Sequence, residues 1–158
     1  MATPPVPELL RTHLNQLALD DQRLDGRARF EGRNVVVETG VLPRAEGSAR
    51  VTMGDTIVLA GVKFQIMTPY PDRPTSGGFM TSAEVRPVCG VHWEAGPPSP
   101  EAIELGRVVD RGIRESGCID MEDLCILPGE KAWQVILDVF AISDDGNLFD
   151  AFATAAMA

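Results

Sequence analysis

The amino-acid sequence predicts an α+β fold, in which helices pack on one face of a layered β-sheet. Three observations lead to this prediction. Most segments before residue 68 are strand-like and include a two-residue hairpin, a strong helix start lies at residues 96–101, and strand and helix patterns alternate after it. With 158 residues, of which 44% are hydrophobic, the chain can bury one apolar core.

The first predicted element is a short amphipathic helix over residues 8–19. Its leucines fall on or near one stripe at the helical period. We expect this apolar stripe to dock against other parts of the protein. Residues 1–22 are therefore treated as an N-terminal helical segment, and residues 23–158 as the domain that follows it.

The next predicted elements are strands. Residues 34–39 are rich in β-branched side chains, and two further strand patterns, 47–53 and 56–66, flank Gly54 and Asp55. A glycine at the first position of a two-residue turn is typical of a type II′ hairpin. We therefore expect these two strands to pair antiparallel.

The second half of the chain contains the most clearly delimited helix. Prolines and glycines predict a loop over residues 68–78, after which a strand pattern covers residues 79–88. Ser99 is the predicted N-cap, Pro100 occupies the first helical position, and Gly117 ends the helix.

The last predicted elements are a buried strand over residues 133–142, a turn over residues 144–147 and a helix over residues 148–158. The chain ends while this helix is still apolar. A complete domain usually closes with a polar terminus or a cap, so we expect the domain to be truncated at its C-terminus.

Three arginines of the central helix are candidates for binding phosphate or RNA. Arg107, Arg111 and Arg114 have the spacing i, i+4 and i+7, which places them on one stripe opposite an apolar stripe of Leu105, Val109, Gly112 and Ile113. Arginine suits phosphodiesters because its planar fork can donate two parallel hydrogen bonds and stays charged. The alternative is an ion-paired surface, in which the preceding carboxylates at positions 104 and 110 neutralise the stripe.

The net charge of the chain limits the kinds of nucleic-acid binding that are possible. A formal charge of −9 and a pI near 4.6 argue against generic binding, which depends on basic charge meeting phosphate. Any contact with RNA is therefore expected to be local, with further positive charge supplied by partner subunits.

The composition also bears on compartment and cofactors. Cys89, Cys118 and Cys125 form no C-x-x-C pair, so we interpret them as free thiols that are mostly buried. Neither His13 nor His92 has a second histidine at ligand spacing, and we predict neither a metal site nor another cofactor. No apolar run is long enough to span a bilayer, which indicates a cytoplasmic protein without membrane contact.

Several motifs together resemble the ribonuclease PH-like family. They are Arg23-x-Asp25-Gly26-Arg27, the hairpin from Gly47 to Thr56, Pro97-Pro98 followed by Glu104-Leu105-x-Arg107-Val108-Val109-Asp110-Arg111, and Trp133 with Asp138 before Asp145-Gly146-Asn147. The resemblance covers nearly all of the chain from Arg23 onward and implies the ribosomal protein S5 domain 2-like fold. Within the family, the motifs are most similar to the non-catalytic ring subunit of the archaeal exosome.

This resemblance implies a partnership. It implies a hexameric ring in which the subunit alternates with a catalytic paralogue. The paralogue would degrade single-stranded RNA from its 3′ end with inorganic phosphate. The resemblance also implies that RNA-binding cap proteins associate with the ring. Arg107 and Arg111 match family positions that face the RNA path between the two kinds of subunit. Arg114 lies on the same stripe and is included as a third RNA-binding candidate.

Departures from the active members of the family imply that this subunit has no catalytic residues of its own. Active members follow the last turn with a glycine-rich segment and a Thr-Arg or Arg-Ser pair that binds phosphate, whereas this chain has Leu148-Phe149-Asp150. An aspartate there would repel phosphate. Active members also carry an arginine-rich segment before the long helix, where this chain has Ala95-Gly96-Pro97-Pro98.

Two other functions remain open from the sequence. The chain could be a self-sufficient phosphorolytic 3′-exoribonuclease of the same fold, although this requires a phosphate site that residues 148–150 do not offer. It could also be a generic protein-interaction domain, in which the arginine stripe is only an ion-paired surface.

Overall fold

The structure is a computed structural model that describes residues 6–158. The chain divides into two compact units, the first ending at Arg33 and the second spanning Asn34–Ala158. The predicted boundary between the N-terminal helical segment (residues 1–22) and the following domain (residues 23–158) stays a prediction. It concerns where the domain begins in the sequence, whereas the two units are defined by their compactness.

The first unit contains helix α1, Glu8–Leu19, at the predicted position. None of its residues is buried, and Leu9 is 84% exposed, while docking of its apolar stripe stays a prediction. The segment after α1 closes on itself. The Arg23 guanidinium donates to the carbonyl of Arg29, and Arg27 Nε lies 2.7 Å from Asp25 Oδ2, which lowers the pKa of that carboxyl.

The second unit is built on one mixed sheet of six strands. Its strands are β1 (Val35–Thr39), β2 (Gly47–Met53), β3 (Thr56–Met67), β4 (Gly78–Glu84), β5 (Cys125–Leu127) and β6 (Lys131–Ser143). The order is β1-β2-β3-β6-β4, and β5 pairs with β6 beside this path. The β4–β6 pair is parallel and the others are antiparallel, which confirms the predicted α+β class.

The predicted hairpin joins β2 and β3. Met53 pairs with Thr56 across the turn, and Gly54 has a φ of 60°. A positive φ is required at the first position of a type II′ turn, and glycine adopts it without steric cost. The turn therefore sets the register that directs Val51 and Val58 into the core.

Helices α2 (Pro100–Ser116) and α3 (Leu148–Met157) supply the rest of the core. The core consists of alternate residues of the strands and one face of each helix: Val51, Met53, Val58, Ala60, Phe79, Leu105, Val109, Ile113, Val135, Leu137, Val139, Ala141, Leu148, Ala151 and Phe152, among others. Because strand side chains alternate, the residues between these positions lie on the opposite face of the sheet. That face carries an open cavity of about 540 Å³ lined by residues such as Leu59, Lys63 and Phe140.

Four details differ from the sequence-based predictions. Strand β4 ends at Glu84 rather than at residue 88, because a turn follows and Pro87 has no N–H to donate to a sheet. The short strand β5 was not predicted, since three residues are too few to show a period. Gly112 is exposed rather than on the buried stripe. The cysteines are not mostly buried, because only Cys89 is.

Candidate nucleic-acid interface

Helix α2 presents the candidate arginines, and local interactions define both of its ends. Ser99 Oγ accepts a hydrogen bond from the amide of Ala102 at 3.2 Å, and Pro100 occupies the first turn. The helix ends at Gly117, whose φ of 69° is the left-handed conformation typical of such ends. The predicted boundaries of this helix are therefore confirmed.

The buried face of α2 fixes the helix on the sheet. Ala102, Leu105, Val109 and Ile113 are each at most 5% exposed. A Cβ at Gly106 would lie 3.2 Å from that of Ala83 on β4, so glycine permits a close approach of helix and strand. The opposite, exposed face of α2 is held in place by this packing.

Arg107 and Arg111 lie on the exposed face and line one shallow groove. The groove has a volume of about 300 Å³ and is formed by Pro100, Ile103, Glu104, Arg107, Val108 and Arg111. All six residues belong to α2, and the two arginines are one helical turn apart. The helix alone therefore builds a surface on which two guanidinium groups flank apolar side chains.

Neither of these two arginines is strongly neutralised. No carboxylate of the described residues lies within 4.0 Å of Arg107, so the Glu104–Arg107 ion pair of the alternative interpretation is not formed. Arg111 Nε lies 3.8 Å from Glu115 Oε1, but both side chains are at least 70% exposed. Such a pair contributes little in water, and both guanidinium groups remain available to an anionic ligand.

Arg114 has a different environment, although it lies on the same stripe. Its guanidinium donates to both carboxylate oxygens of Asp110, at 3.0 and 2.9 Å, and to the carbonyl of Phe79 at 2.9 Å. Its Cζ lies 5.5 Å from the centre of the Phe79 ring. Hydrogen bonds from Arg114 to Asp110 raise the pKa of the guanidinium. Arg114 thus joins α2 to β4 and does not line the groove.

The start of α3 carries a carboxylate rather than a group that binds anions. Asp150 lies in the first turn, where its Oδ2 accepts a hydrogen bond from Asn147 Nδ2 at 2.8 Å. Leu148 is buried, and Asn147 has a φ of 60°. The first turn of a helix favours negative charge, and here Asp150 already supplies it.

The loop before α2 is tied to the turn after β6 by a buried carboxylate. Asp144, whose side chain is 8% exposed, accepts a hydrogen bond from Trp93 Nε1 at 2.9 Å and lies 3.1 Å from His92 Nε2. Trp93 is partly buried and packs against the core. Burial near this turn also raises the pKa of the Cys89 thiol.

Within residues 6–158, no three histidine, cysteine, aspartate or glutamate side chains are grouped as they would be around a metal ion. Nor does any helix in that range have the length and apolar character needed to cross a bilayer.

Comparison with known protein families identifies the domain. The model of the 3′ exoribonuclease family, domain 1, known as RNase PH, matches residues 31–158. The chain belongs to this family. The recognition of a ribonuclease PH-like chain from its motifs is thereby confirmed, together with the fold class.

Relatives within the RNase PH family are described as components of the exosome. The chain is 49% identical over 153 residues to the Methanocella arvoryzae protein named exosome complex component Rrp42, and 47% identical over 151 residues to the Archaeoglobus fulgidus protein of that name. These alignments cover 97% and 96% of this chain, but 59% and 58% of the relatives. The chain thus spans about three fifths of the length of these relatives.

Two solved structures of archaeal exosomes are also similar to this chain. A structure described as the Archaeoglobus fulgidus exosome with RNA bound to the active site superimposes with a TM-score of 0.88 at 47% identity, over 95% of this chain and 59% of that chain. A structure described as an archaeal exosome core has a TM-score of 0.81 at 44% identity, over 96% of this chain and 57% of that chain.

The groove contains both residues that the sequence predicts as binding candidates and residues that it does not. Arg107 and Arg111 were singled out from their spacing, and the structure places them side by side. Ile103 and Val108, which line the same groove and are 51% and 48% exposed, were not singled out. The available signal was a pair of β-branched apolar residues on the face that the helical period assigns to solvent.

Proposed function

We propose that this chain is part of a non-catalytic subunit of the archaeal exosome ring, in which Arg107 and Arg111 bind the RNA backbone. Membership of the RNase PH family and the similarity to proteins named exosome complex component support the assignment to an exosome. The chain spans only part of those relatives, so the activity of the whole assembly enters as a proposal.

The observation that carries the RNA-binding proposal is the groove on α2. Its two arginines are exposed, flank apolar surface and have no strong carboxylate partner among the described residues. Guanidinium groups donate to phosphate oxygens, while aliphatic surface can contact a sugar or the edge of a base. A local site of this kind is compatible with a net charge of −9, because the rest of the RNA path would be lined by partner subunits.

The proposal that the subunit is non-catalytic is supported by the start of α3. Phosphorolysis needs a site that attracts inorganic phosphate, but the first turn of α3 holds the Asp150 carboxylate. A second negative charge at this position is unfavourable. In this proposal, the catalytic paralogue supplies the phosphate site, and this subunit needs no cofactor.

The proposed partners follow from the same assignment. They are a catalytic ribonuclease PH-like paralogue in a hexameric ring, RNA-binding cap proteins and single-stranded RNA. A cytoplasmic location belongs to the proposal as well. Arg114 stays a weaker RNA-binding candidate, because its guanidinium is occupied by Asp110 and the Phe79 carbonyl.

The experiment that tests this function uses the full-length protein, the catalytic paralogue and an RNA with a single-stranded 3′ tail. We expect phosphate-dependent shortening of the RNA only when both proteins are present. Shortening by this protein alone would establish the self-sufficient exoribonuclease instead. Failure of the two proteins to associate in gel filtration would favour the generic interaction domain.

The role of the groove is tested by the variants Arg107→Glu and Arg111→Glu, singly and combined, in the assembled ring. We expect intact assembly with weaker RNA binding and less processive degradation, because reversed charges repel phosphate. Arg44→Glu is the matched control, since Arg44 is exposed beside the cavity on the other face of the sheet. Equal RNA affinity of the Arg107, Arg111 and Arg44 variants would contradict the proposed site.

A further inference from the structure

The groove on α2 contains one side chain that the proposed function leaves unexplained. Glu104 lines the groove together with Arg107 and Arg111. Its carboxylate makes no hydrogen bond and no ion pair with any residue that the structure describes, although Arg107 follows it by one helical turn. A site for a polyanion therefore includes an unpaired negative charge.

Such a charge has an energetic consequence when RNA binds. An ionised carboxylate can only accept hydrogen bonds, whereas phosphate groups offer no donor to it. As RNA displaces water from the groove, Glu104 would lose hydration and be repelled by the phosphates bound at the arginines. A hydrogen-bond donor supplied by the nucleic acid would offset this cost.

Among the donors of single-stranded RNA, the ribose 2′-hydroxyl is the one present at every nucleotide and next to every phosphate. Amino groups occur on some bases only, and a groove with two phosphate-binding arginines and aliphatic walls has no other group for reading a base. The 2′-hydroxyl also distinguishes RNA from DNA. We infer that Glu104 accepts a hydrogen bond from a ribose 2′-hydroxyl and makes this groove selective for RNA over DNA.

This inference rests on the proposed function, because it needs RNA in the groove. In it, Arg107 and Arg111 bind phosphates of the strand, and Ile103 and Val108 contact the intervening sugar. Glu104 accepts a hydrogen bond that the sugar hydroxyl donates. DNA offers the same phosphates but no donor, so Glu104 only repels it. The carboxylate therefore weakens DNA binding and strengthens RNA binding.

The test measures the affinity of the assembled ring, without phosphate, for oligouridine RNA and for the DNA oligomer of the same bases. Both oligomers carry the same base donor, the uracil N3–H, so the ratio of their affinities isolates the contribution of the sugar. For Glu104→Ala we expect RNA affinity to fall about tenfold, the loss of one hydrogen bond to a charged group, and DNA affinity to rise. Glu104→Gln retains an acceptor oxygen and should keep most of the preference for RNA.

The matched control is Glu115→Ala, which removes another exposed carboxylate of the same helix from outside the groove. It should leave the ratio of RNA to DNA affinity unchanged. If Glu104→Ala alters both affinities by the same factor, Glu104 acts by charge alone and the inference is wrong. A loss seen with oligoadenosine RNA but not with oligouridine RNA would assign the contact to a base and would also overturn it.

Failure of this inference can be distinguished from failure of the proposed function. If Arg107→Glu leaves RNA affinity unchanged, RNA does not occupy the groove and the proposed function itself fails. If Arg107→Glu weakens RNA binding while Glu104→Ala preserves the preference for RNA, only the role of Glu104 is wrong.

Discussion

The exposed stripe of α2 contains two regions that look alike in the sequence and differ in the structure. Arg107 and Arg111 border an open groove and have at most one long, solvent-exposed ion pair. Arg114, less than one turn further along the helix, is bound by Asp110 on its own helix and by the Phe79 carbonyl of β4. The first region is available to a ligand, and the second holds the helix on the sheet.

The different environments of these arginines result from a contact with strand β4 and not from their positions along the helix. All three arginines have carboxylates three or four residues away, so helical spacing alone offers each of them a partner. Only Arg114 also reaches a backbone carbonyl of β4, and that third contact holds the guanidinium beside Asp110. An arginine that satisfies acceptors on two elements contributes to stability, while one that satisfies none remains free for recognition.

The largest expected effect separates the two regions by their salt dependence. In the proposed exosome ring, and if the proposed function is correct, Arg107→Ala combined with Arg111→Ala should weaken RNA binding on the order of a hundredfold, since two charge-assisted hydrogen-bonding groups are lost. The slope of log affinity against log salt concentration should become shallower by about 1.4, because each phosphate contact on a single strand contributes about 0.7. Titrations at several salt concentrations measure both quantities.

Arg114→Ala provides the contrast in the same titrations. Its slope should match that of the unmodified ring, because Arg114 is occupied within the protein. A slope reduced as much as that of the Arg107 variant would show that Arg114 exchanges its internal partners for phosphate, and the division of the stripe into two regions would be wrong.

The second expected effect concerns the free energy of unfolding, which should change more for the Arg114 variant than for the Arg107 variant. Arg114→Ala should lower the free energy of unfolding by about 1–2 kcal/mol, because the Phe79 carbonyl and the Asp110 carboxylate both lose their hydrogen-bond donor. The loss stays moderate because the guanidinium is partly exposed to solvent. Arg107→Ala should change it by less than about 0.5 kcal/mol, as is usual for a surface residue without partners.

Urea unfolding of the full-length protein measures these differences, and Arg114→Lys sharpens the result. Lysine keeps the charge but cannot donate to both elements from one planar group, so we expect an intermediate loss. Equal stability of the Arg107 and Arg114 variants would mean that the contact with β4 contributes nothing.

The elements that could be predicted from the sequence are those determined by local interactions. Ser99, Pro100 and Gly117 delimit α2 because capping depends on residues within a few positions of each other. The turn at Gly54 depends on the backbone freedom of one residue, and alternation along β6 follows from burial of one face. Each of these signals is contained in a short window.

The features that the sequence left open depend on contacts between distant segments. Helical spacing could not show that Arg114 would meet the carbonyl of Phe79, which is 35 residues away in the chain. The period of α1 indicates an apolar stripe but not what covers it, and no residue of this helix is buried. The groove itself depends on which apolar residues the sheet does not cover, as with Ile103 and Val108.

The smallest expected effect tests whether Arg111, like Arg107, is available to a ligand rather than held by a neighbouring carboxylate. A double-mutant cycle with Arg111→Ala and Glu115→Ala should give a coupling free energy below about 0.5 kcal/mol, since the pair is 3.8 Å apart and more than two thirds exposed. Adding salt should reduce it further. A coupling above about 1 kcal/mol would place Arg111 with Arg114 as a residue held by its helix, and Arg107 alone would then carry the contact with RNA.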